Sequence, residues 1–116
     1  MNEYLKYLDD SVEKLRREEG ELAATHRKDE ANLMKIRINI YGICKTVFEA
    51  ISRQESEEQL REKYLAKLEE TLTNWKISKE KAKQHEDVEK VVTETIKLET
   101  IEEIKGKFNK LWRAGQ

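Results

Sequence analysis

A heptad repeat of apolar residues runs from Leu5 to Ala50, and it constrains the possible fold more than any other feature of this chain. If Leu5 is position a and Leu8 is position d, eleven of the fourteen a and d positions are apolar in a chain that is 37% hydrophobic. A 3.5-residue period keeps one stripe of a helix facing a partner helix, as coiled coils and bundles require. The a and d positions are Leu5, Leu8, Val12, Leu15, Glu19, Leu22, His26, Asp29, Leu33, Ile36, Ile40, Ile43, Val47 and Ala50.

Composition narrows the class of protein further. Charged residues make up 41% of the 116 residues and proline is absent, which is typical of long solvated helices in a single domain. The net charge of −1 disfavours nucleic acid, which binds basic surfaces. One cysteine forms no internal disulfide, and the sequence shows neither a secretory signal nor a transmembrane segment. We expect a cytoplasmic protein.

Helix boundaries follow from periodicity and capping residues. One helix is predicted over 2–51, because the heptad phase survives across Gly20. A second helix is predicted over 57–84, and the capping-box pair Ser56 and Gln59 marks its start.

The last third of the chain gives a weaker pattern. Residues 88–98 are rich in β-branched side chains, which suit either a strand or one face of a helix, and we expect a helix over 87–98. A terminal helix is predicted over 101–113, beginning at a capping box formed by Thr100 and Glu103. No internal repeat is visible.

These elements predict an all-α fold. We expect a long, coiled-coil-like antiparallel helical hairpin whose C-terminal third folds back into a bundle of three or four helices. The stretch from Leu33 to Ile51 is apolar around most of its circumference, so Ile40, Ile43, Val47 and Phe48 should all be buried.

The N-terminal half of the heptad forms a narrower stripe, which we interpret as an interaction surface. The second helix is too short to cover it, so it must meet the C-terminal third or another molecule. This favours a homodimer or a helical partner protein. The stripe consists of Leu5, Leu8, Val12, Leu15 and Leu22.

A polar layer interrupts the stripe at Glu19, His26 and Asp29. A histidine and carboxylates on one helical face could begin a metal site, but the Glu-x-x-His pairs of di-metal bundles are absent. We therefore expect the layer to fix helix register or to mark where the helix emerges into water.

No catalytic motif is present. Cys44 lies in the apolar half of the first helix, where we expect a buried thiol and not a nucleophile. Glycine-rich phosphate loops and the common hydrolase and metalloprotease motifs are missing. The sequence predicts no enzymatic activity, no cofactor and no bound metal.

Basic and aromatic residues alternate near the C-terminus, and this segment gives an alternative function. Lys107, Lys110, Trp112 and Arg113 could contact an anionic membrane surface or a nucleic acid. The competing interpretation is that the aromatic side chains pack onto the bundle, and we favour that one. The preferred function is thus a non-enzymatic interaction or scaffolding protein that assembles through its apolar stripe.

Overall fold

The protein is an all-α bundle of four helices. A computed structural model describes residues 2–115, in which no strand occurs. The helices are α1 (Asn2–Ala24), α2 (Lys28–Gln54), α3 (Glu57–Gln84) and α4 (Val88–Ala114). Helix α1 packs mainly on α2 and α3 packs mainly on α4, while α2 joins the two hairpins through contacts with both α3 and α4. The prediction of an all-α hairpin-and-bundle fold is confirmed.

The single helix predicted over 2–51 is wrong, because the chain reverses at residues 25–27. His26 has a left-handed backbone with φ of 62°, and the Arg27 amide bonds to the Leu22 carbonyl at 2.9 Å, as in a Schellman helix end. Left-handed backbone is strained in residues other than glycine, although histidine is enriched there. The strain is offset because the reversal lays α1 against α2 and buries the apolar stripe within the chain.

The second half of the chain differs from prediction at one boundary. Helix α4 is continuous, so residues 88–98 are helical and no new helix begins at Thr100. Thr100 is fully buried within α4, and its hydroxyl donates to the Ile96 carbonyl at 2.7 Å. The predicted cap at Ser56 is confirmed, since its side chain accepts a hydrogen bond from the Gln59 amide.

The two hairpins are structural copies of each other, displaced by 60 residues in sequence. Helix α2 plus 60 gives the exact bounds of α4, and α3 ends 60 residues after α1. The turns also match, since Glu86 has φ of 57° and the Asp87 amide bonds to the Ala82 carbonyl at 2.9 Å. The expectation that the chain has no internal repeat is therefore wrong.

Burial and ion pairing of the side chains also repeat at positions 60 residues apart. Buried residues in equivalent positions are Tyr4 and Tyr64, Leu8 and Leu68, Tyr41 and Ile101, Cys44 and Ile104, and Phe48 and Phe108. The ion pair of Lys45 with Asp9 has its counterpart in that of Lys105 with Glu69. Two equivalent units that pack through equivalent residues form an arrangement with approximate twofold symmetry, as in an isologous dimer.

Four aromatic rings lie where the two hairpins meet. Tyr4 contacts Phe48 and Phe108 with ring centroids 5.0 and 4.9 Å apart, and Tyr64 contacts Phe108 and Phe48 at 5.0 and 5.1 Å. All four contacts are edge-to-face, a geometry that contributes about 0.5–1.5 kcal/mol per pair beyond burial. The hydroxyl groups of Tyr4 and Tyr64 are hydrogen-bonded to each other, which ties equivalent residues of the two hairpins together.

One expectation about burial is wrong. Ile40 and Phe48 are buried and Val47 is partly buried, but Ile43 is 41% exposed. Helix α2 turns Ile40, Cys44 and Phe48 toward the core, and at 3.6 residues per turn Ile43 lies about 100° away from the centre of that face. The heptad d positions of α2 therefore point away from the bundle.

Candidate interaction surface

The exposed side of α2 carries a row of uncharged residues, which we call the α2 seam. Its members recur at alternating spacings of four and three residues, the spacing of a coiled-coil contact line. Ile43 lies near the centre of the row, and all members are exposed except Ile36, which is partly exposed. The seam consists of Asn32, Ile36, Asn39, Ile43, Thr46 and Ala50. In a chain in which 41% of residues are charged, an uncharged exposed helix face of this length is unusual.

The internal repeat provides a control for the composition of the seam. The equivalent positions on α4 begin with two apolar residues and then become polar, carrying two carboxylates, a glycine and a lysine. They are Val92, Ile96, Glu99, Glu103, Gly106 and Lys110. Two of these charges have partners on α2, since Glu99 lies 3.6 Å from Arg37 and Glu103 accepts a hydrogen bond from Tyr41 at 3.3 Å. The same helical backbone therefore accepts charges where a partner is present.

Gly42 lies beside the seam and has no structural explanation within the chain. A Cβ atom built on Gly42 would meet no atom within 4 Å, so no neighbouring side chain excludes alanine. A glycine inside a helix costs about 1 kcal/mol relative to alanine. A small residue at this place allows another helix to approach the seam closely.

Charges border the seam without entering its centre. Lys35 lies on one flank, 3.6 Å from Glu19 of α1. Asp29 lies near the N-terminal end of α2 and Arg53 near its C-terminal end, and both are exposed. Asp29 and Arg53 therefore place charges of opposite sign at the two ends of the seam, with the exposed Lys28 beside Asp29.

The residues of the predicted N-terminal stripe are largely used inside the chain. Leu8 is 1% exposed and belongs to the core, and Leu5, Val12 and Leu15 pack against that core while partly buried. Leu22 is also partly buried. The stripe thus meets its partner helix within the same chain, and the interpretation of Leu8 as part of an interaction surface is wrong.

The predicted polar layer is not assembled into a site. Glu19 lies in α1 beside Lys35, His26 is exposed in the turn, and Asp29 is exposed in the first turn of α2. No group of three or more histidine, cysteine, aspartate or glutamate side chains within residues 2–115 is arranged to hold a metal. These three polar positions surround the hairpin turn and are the sequence signal that marks it.

The aromatic side chain of the predicted C-terminal contact surface is buried in the bundle. Trp112 is 6% exposed and packs on Phe108, with ring centroids 5.6 Å apart. Lys107 lies over the ring of Tyr7, while Lys110 and Arg113 remain exposed. A ligand at this surface would meet cations without an accessible indole.

Burial shifts the pKa of the tyrosine hydroxyls and of the thiol in the core. Burial raises the pKa of the Tyr4 and Tyr64 hydroxyls above the usual 10.0. Burial also raises the pKa of the Cys44 thiol to about 12, although its hydrogen bond with Tyr64 acts in the opposite direction. A reactive cysteine needs a lowered pKa and solvent access, and Cys44 has neither.

Comparisons with known proteins add no identification. No protein-family model, curated protein sequence or solved structure matches this chain. No helix within residues 2–115 combines the length and the apolar character that crossing a membrane would require.

Proposed function

We propose that this protein is a non-enzymatic helical interaction protein that forms a homodimer through the α2 seam. The observation that carries the proposal is the exposed Ile43 at the centre of an uncharged row whose α4 equivalents include Glu99, Glu103 and Lys110. The charges on α4 have partners within the chain, whereas the exposed α2 row is uncharged, which supports a contact made outside the chain. Depletion of charged residues is characteristic of the centre of a protein interface.

A second copy of the chain is the occupant that best fits the seam. Two identical uncharged surfaces approach without like-charge repulsion, and a twofold axis pairs each surface with itself. An antiparallel arrangement of two α2 helices brings Asp29 of one copy toward Arg53 of the other, at both ends of the contact. A parallel arrangement would instead bring the two copies of Arg53 together, which is electrostatically unfavourable.

The size of the seam predicts a weak dimer. The distance from Asn32 to Ala50 is about 27 Å at 1.5 Å per residue, and one helix presents a face about 10 Å wide. The contact would therefore cover a few hundred Å² on each copy, compared with about 800 Å² per partner in a standard stable complex. We expect dissociation at micromolar concentrations.

The proposal is tested by the native mass of two matched variants. Ile43→Lys places a charge in the centre of the seam, and Ile77→Lys makes the same change at an isoleucine on α3 that is 51% exposed. Size-exclusion chromatography with light scattering at about 100 µM should show dimers for the wild type and for Ile77→Lys. Ile43→Lys should be a monomer of 13.8 kDa with unchanged helicity by circular dichroism.

Two results would contradict the proposed homodimer. If the two lysine variants reduce the mass equally, association depends on general exposed hydrophobicity and not on the seam. If the wild type is a monomer at this concentration, a second copy is not the occupant.

A further inference from the structure

A cleft that contains none of the α2 seam residues has the features of a small-molecule site. It lies between α1, α2 and α4 and has a volume of about 500 Å³, within the range of known ligand pockets. Leu15 and Met34 provide apolar surface, and the side chains of Tyr7, Tyr41 and Arg37 also line the cleft. Ser11, Lys14, Glu18 and Glu103 complete the lining, so the cleft is a mainly polar site with one apolar wall. Convergent polar groups beside apolar surface fix the orientation of a ligand.

The tyrosines of the cleft form a directed hydrogen-bond chain. The Tyr41 hydroxyl donates to Glu103 Oε1 at 3.3 Å, and the two hydroxyl oxygens of Tyr7 and Tyr41 lie 3.0 Å apart. Because the Tyr41 proton is directed to Glu103, Tyr7 donates its proton to the oxygen of Tyr41. Burial raises the pKa of Tyr7, whereas Ser11, which also lines the cleft, lowers it through a side-chain hydrogen bond to the same oxygen. One lone pair of the Tyr7 oxygen is then left to accept a hydrogen bond from a group in the cleft.

The internal repeat shows how the equivalent place in the second hairpin is filled. Trp75 occupies the position equivalent to Leu15, and its indole packs against the core. Lys97, which is equivalent to Arg37, holds its ammonium 4.6 Å from the centre of the Trp75 ring. One half of the protein thus supplies an indole beneath a cation, while the other half has the cation and a smaller leucine.

We propose that the cleft binds a planar heteroaromatic molecule with an N–H donor, which takes the place that the Trp75 indole takes in the second hairpin. The ring lies against Leu15 and Met34 and below the guanidinium of Arg37, since arginine is attracted to aromatic faces. Thr100 and Glu99 of α4 hold that guanidinium in place. The N–H group donates to the oxygen of Tyr7. This site is independent of the α2 seam, so either proposal can fail without the other.

The test uses indole as the probe and two variants that exchange the repeat-equivalent residues. Indole is titrated into the wild type, Leu15→Trp and Trp75→Leu, and binding is followed by amide chemical shifts. The wild type should bind one indole, with shifts centred on Tyr7, Leu15 and Met34. Leu15→Trp fills the cleft and should weaken binding at least tenfold. Trp75→Leu opens the equivalent place and should add a second indole.

Several results would overturn the proposal. They are the absence of wild-type binding at millimolar indole, shifts centred away from the cleft, or unchanged binding by Leu15→Trp. If Leu15→Trp does not fold, Met34→Phe fills the same cleft from α2 and should weaken binding in the same way. Unchanged affinity in that folded variant would also overturn the proposal.

Discussion

The hydrogen bond between Tyr4 and Tyr64 leads to an unequal pair of mutational effects. Both side chains are fully buried. The Tyr64 hydroxyl donates to the Cys44 carbonyl at 3.3 Å, so its oxygen accepts the proton of Tyr4. Removing the Tyr4 hydroxyl leaves Tyr64 bonded to Cys44, whereas removing the Tyr64 hydroxyl leaves the Tyr4 hydroxyl without its partner.

The direction of this hydrogen bond sets the loss of unfolding free energy expected for each single variant. Tyr4→Phe removes one hydrogen bond and should cost about 0.5–1.5 kcal/mol of unfolding free energy. Tyr64→Phe strands a buried donor and should cost about 1–3 kcal/mol. The double variant removes both hydroxyls together, so it should cost clearly less than the sum of the single changes.

The assay is urea unfolding followed by circular dichroism, with linear extrapolation at one fixed protein concentration. Phenylalanine preserves the edge-to-face ring contacts, so the comparison isolates the hydroxyl groups. The reasoning is refuted if Tyr4→Phe costs more than Tyr64→Phe, or if the two effects are additive in the double variant.

Three further predictions concern the buried groups and the turns. Burial raises the pKa of Tyr4, Tyr41 and Tyr64 above 10.0, so their contribution to stability is complete below about pH 10 and is lost as pH rises further. Urea titrations should show flat stability from pH 7 to 8, and a first decline near pH 9 as the Cys44 thiol ionises in the unfolded chain. A steeper fall should follow above pH 10, and Tyr64→Phe should reduce it by up to about 1.4 kcal/mol per pH unit. The raised pKa of Cys44 and its burial predict that a disulfide reagent labels the thiol only after the bundle opens, at a rate that rises with urea. Glu86→Gly relieves a left-handed residue and should raise stability by about 1 kcal/mol, and a lower melting temperature would contradict the turn geometry.

Local periodicity was sufficient to predict the helical class and much of the second half of the chain. The predicted bounds 57–84 coincide with α3, and the Ser56 cap forms as expected. Ile40 and Phe48 are buried as predicted, because they lie on the face of α2 that packs on the bundle. These features depend on residues within a few turns of one another.

The phase of the heptad repeat alone could not distinguish a chain reversal at His26 from one continuous helix. A three-residue turn returned the chain with its apolar face still in heptad register, so one long helix and two antiparallel helices give the same pattern. The polar positions Glu19, His26 and Asp29 were the available sign of a turn. The exposure of Ile43 depends on how α2 packs against three other helices, which a heptad does not specify.

The repeat escaped notice because few equivalent residues are identical and many differ in character, such as Ile43 and Glu103. The identical pairs, such as Tyr4 with Tyr64 and Phe48 with Phe108, lie 60 residues apart and become meaningful only when the structure places them in contact. The seam was likewise invisible, because its distinction lies in comparing α2 with α4 at equivalent positions.

The most direct test of the α2 seam is the detection of contacts between two copies of the chain. In a sample that mixes copies carrying ¹³C-labelled isoleucine methyl groups with unlabelled copies, filtered nuclear Overhauser spectra report only intermolecular contacts. The account predicts such contacts from the methyl groups of Ile43 to Asn39 of the other copy and from those of Ile36 to Thr46, and none from Ile77. Intermolecular contacts that involve Ile77 but not Ile43, or none at millimolar protein, would contradict it.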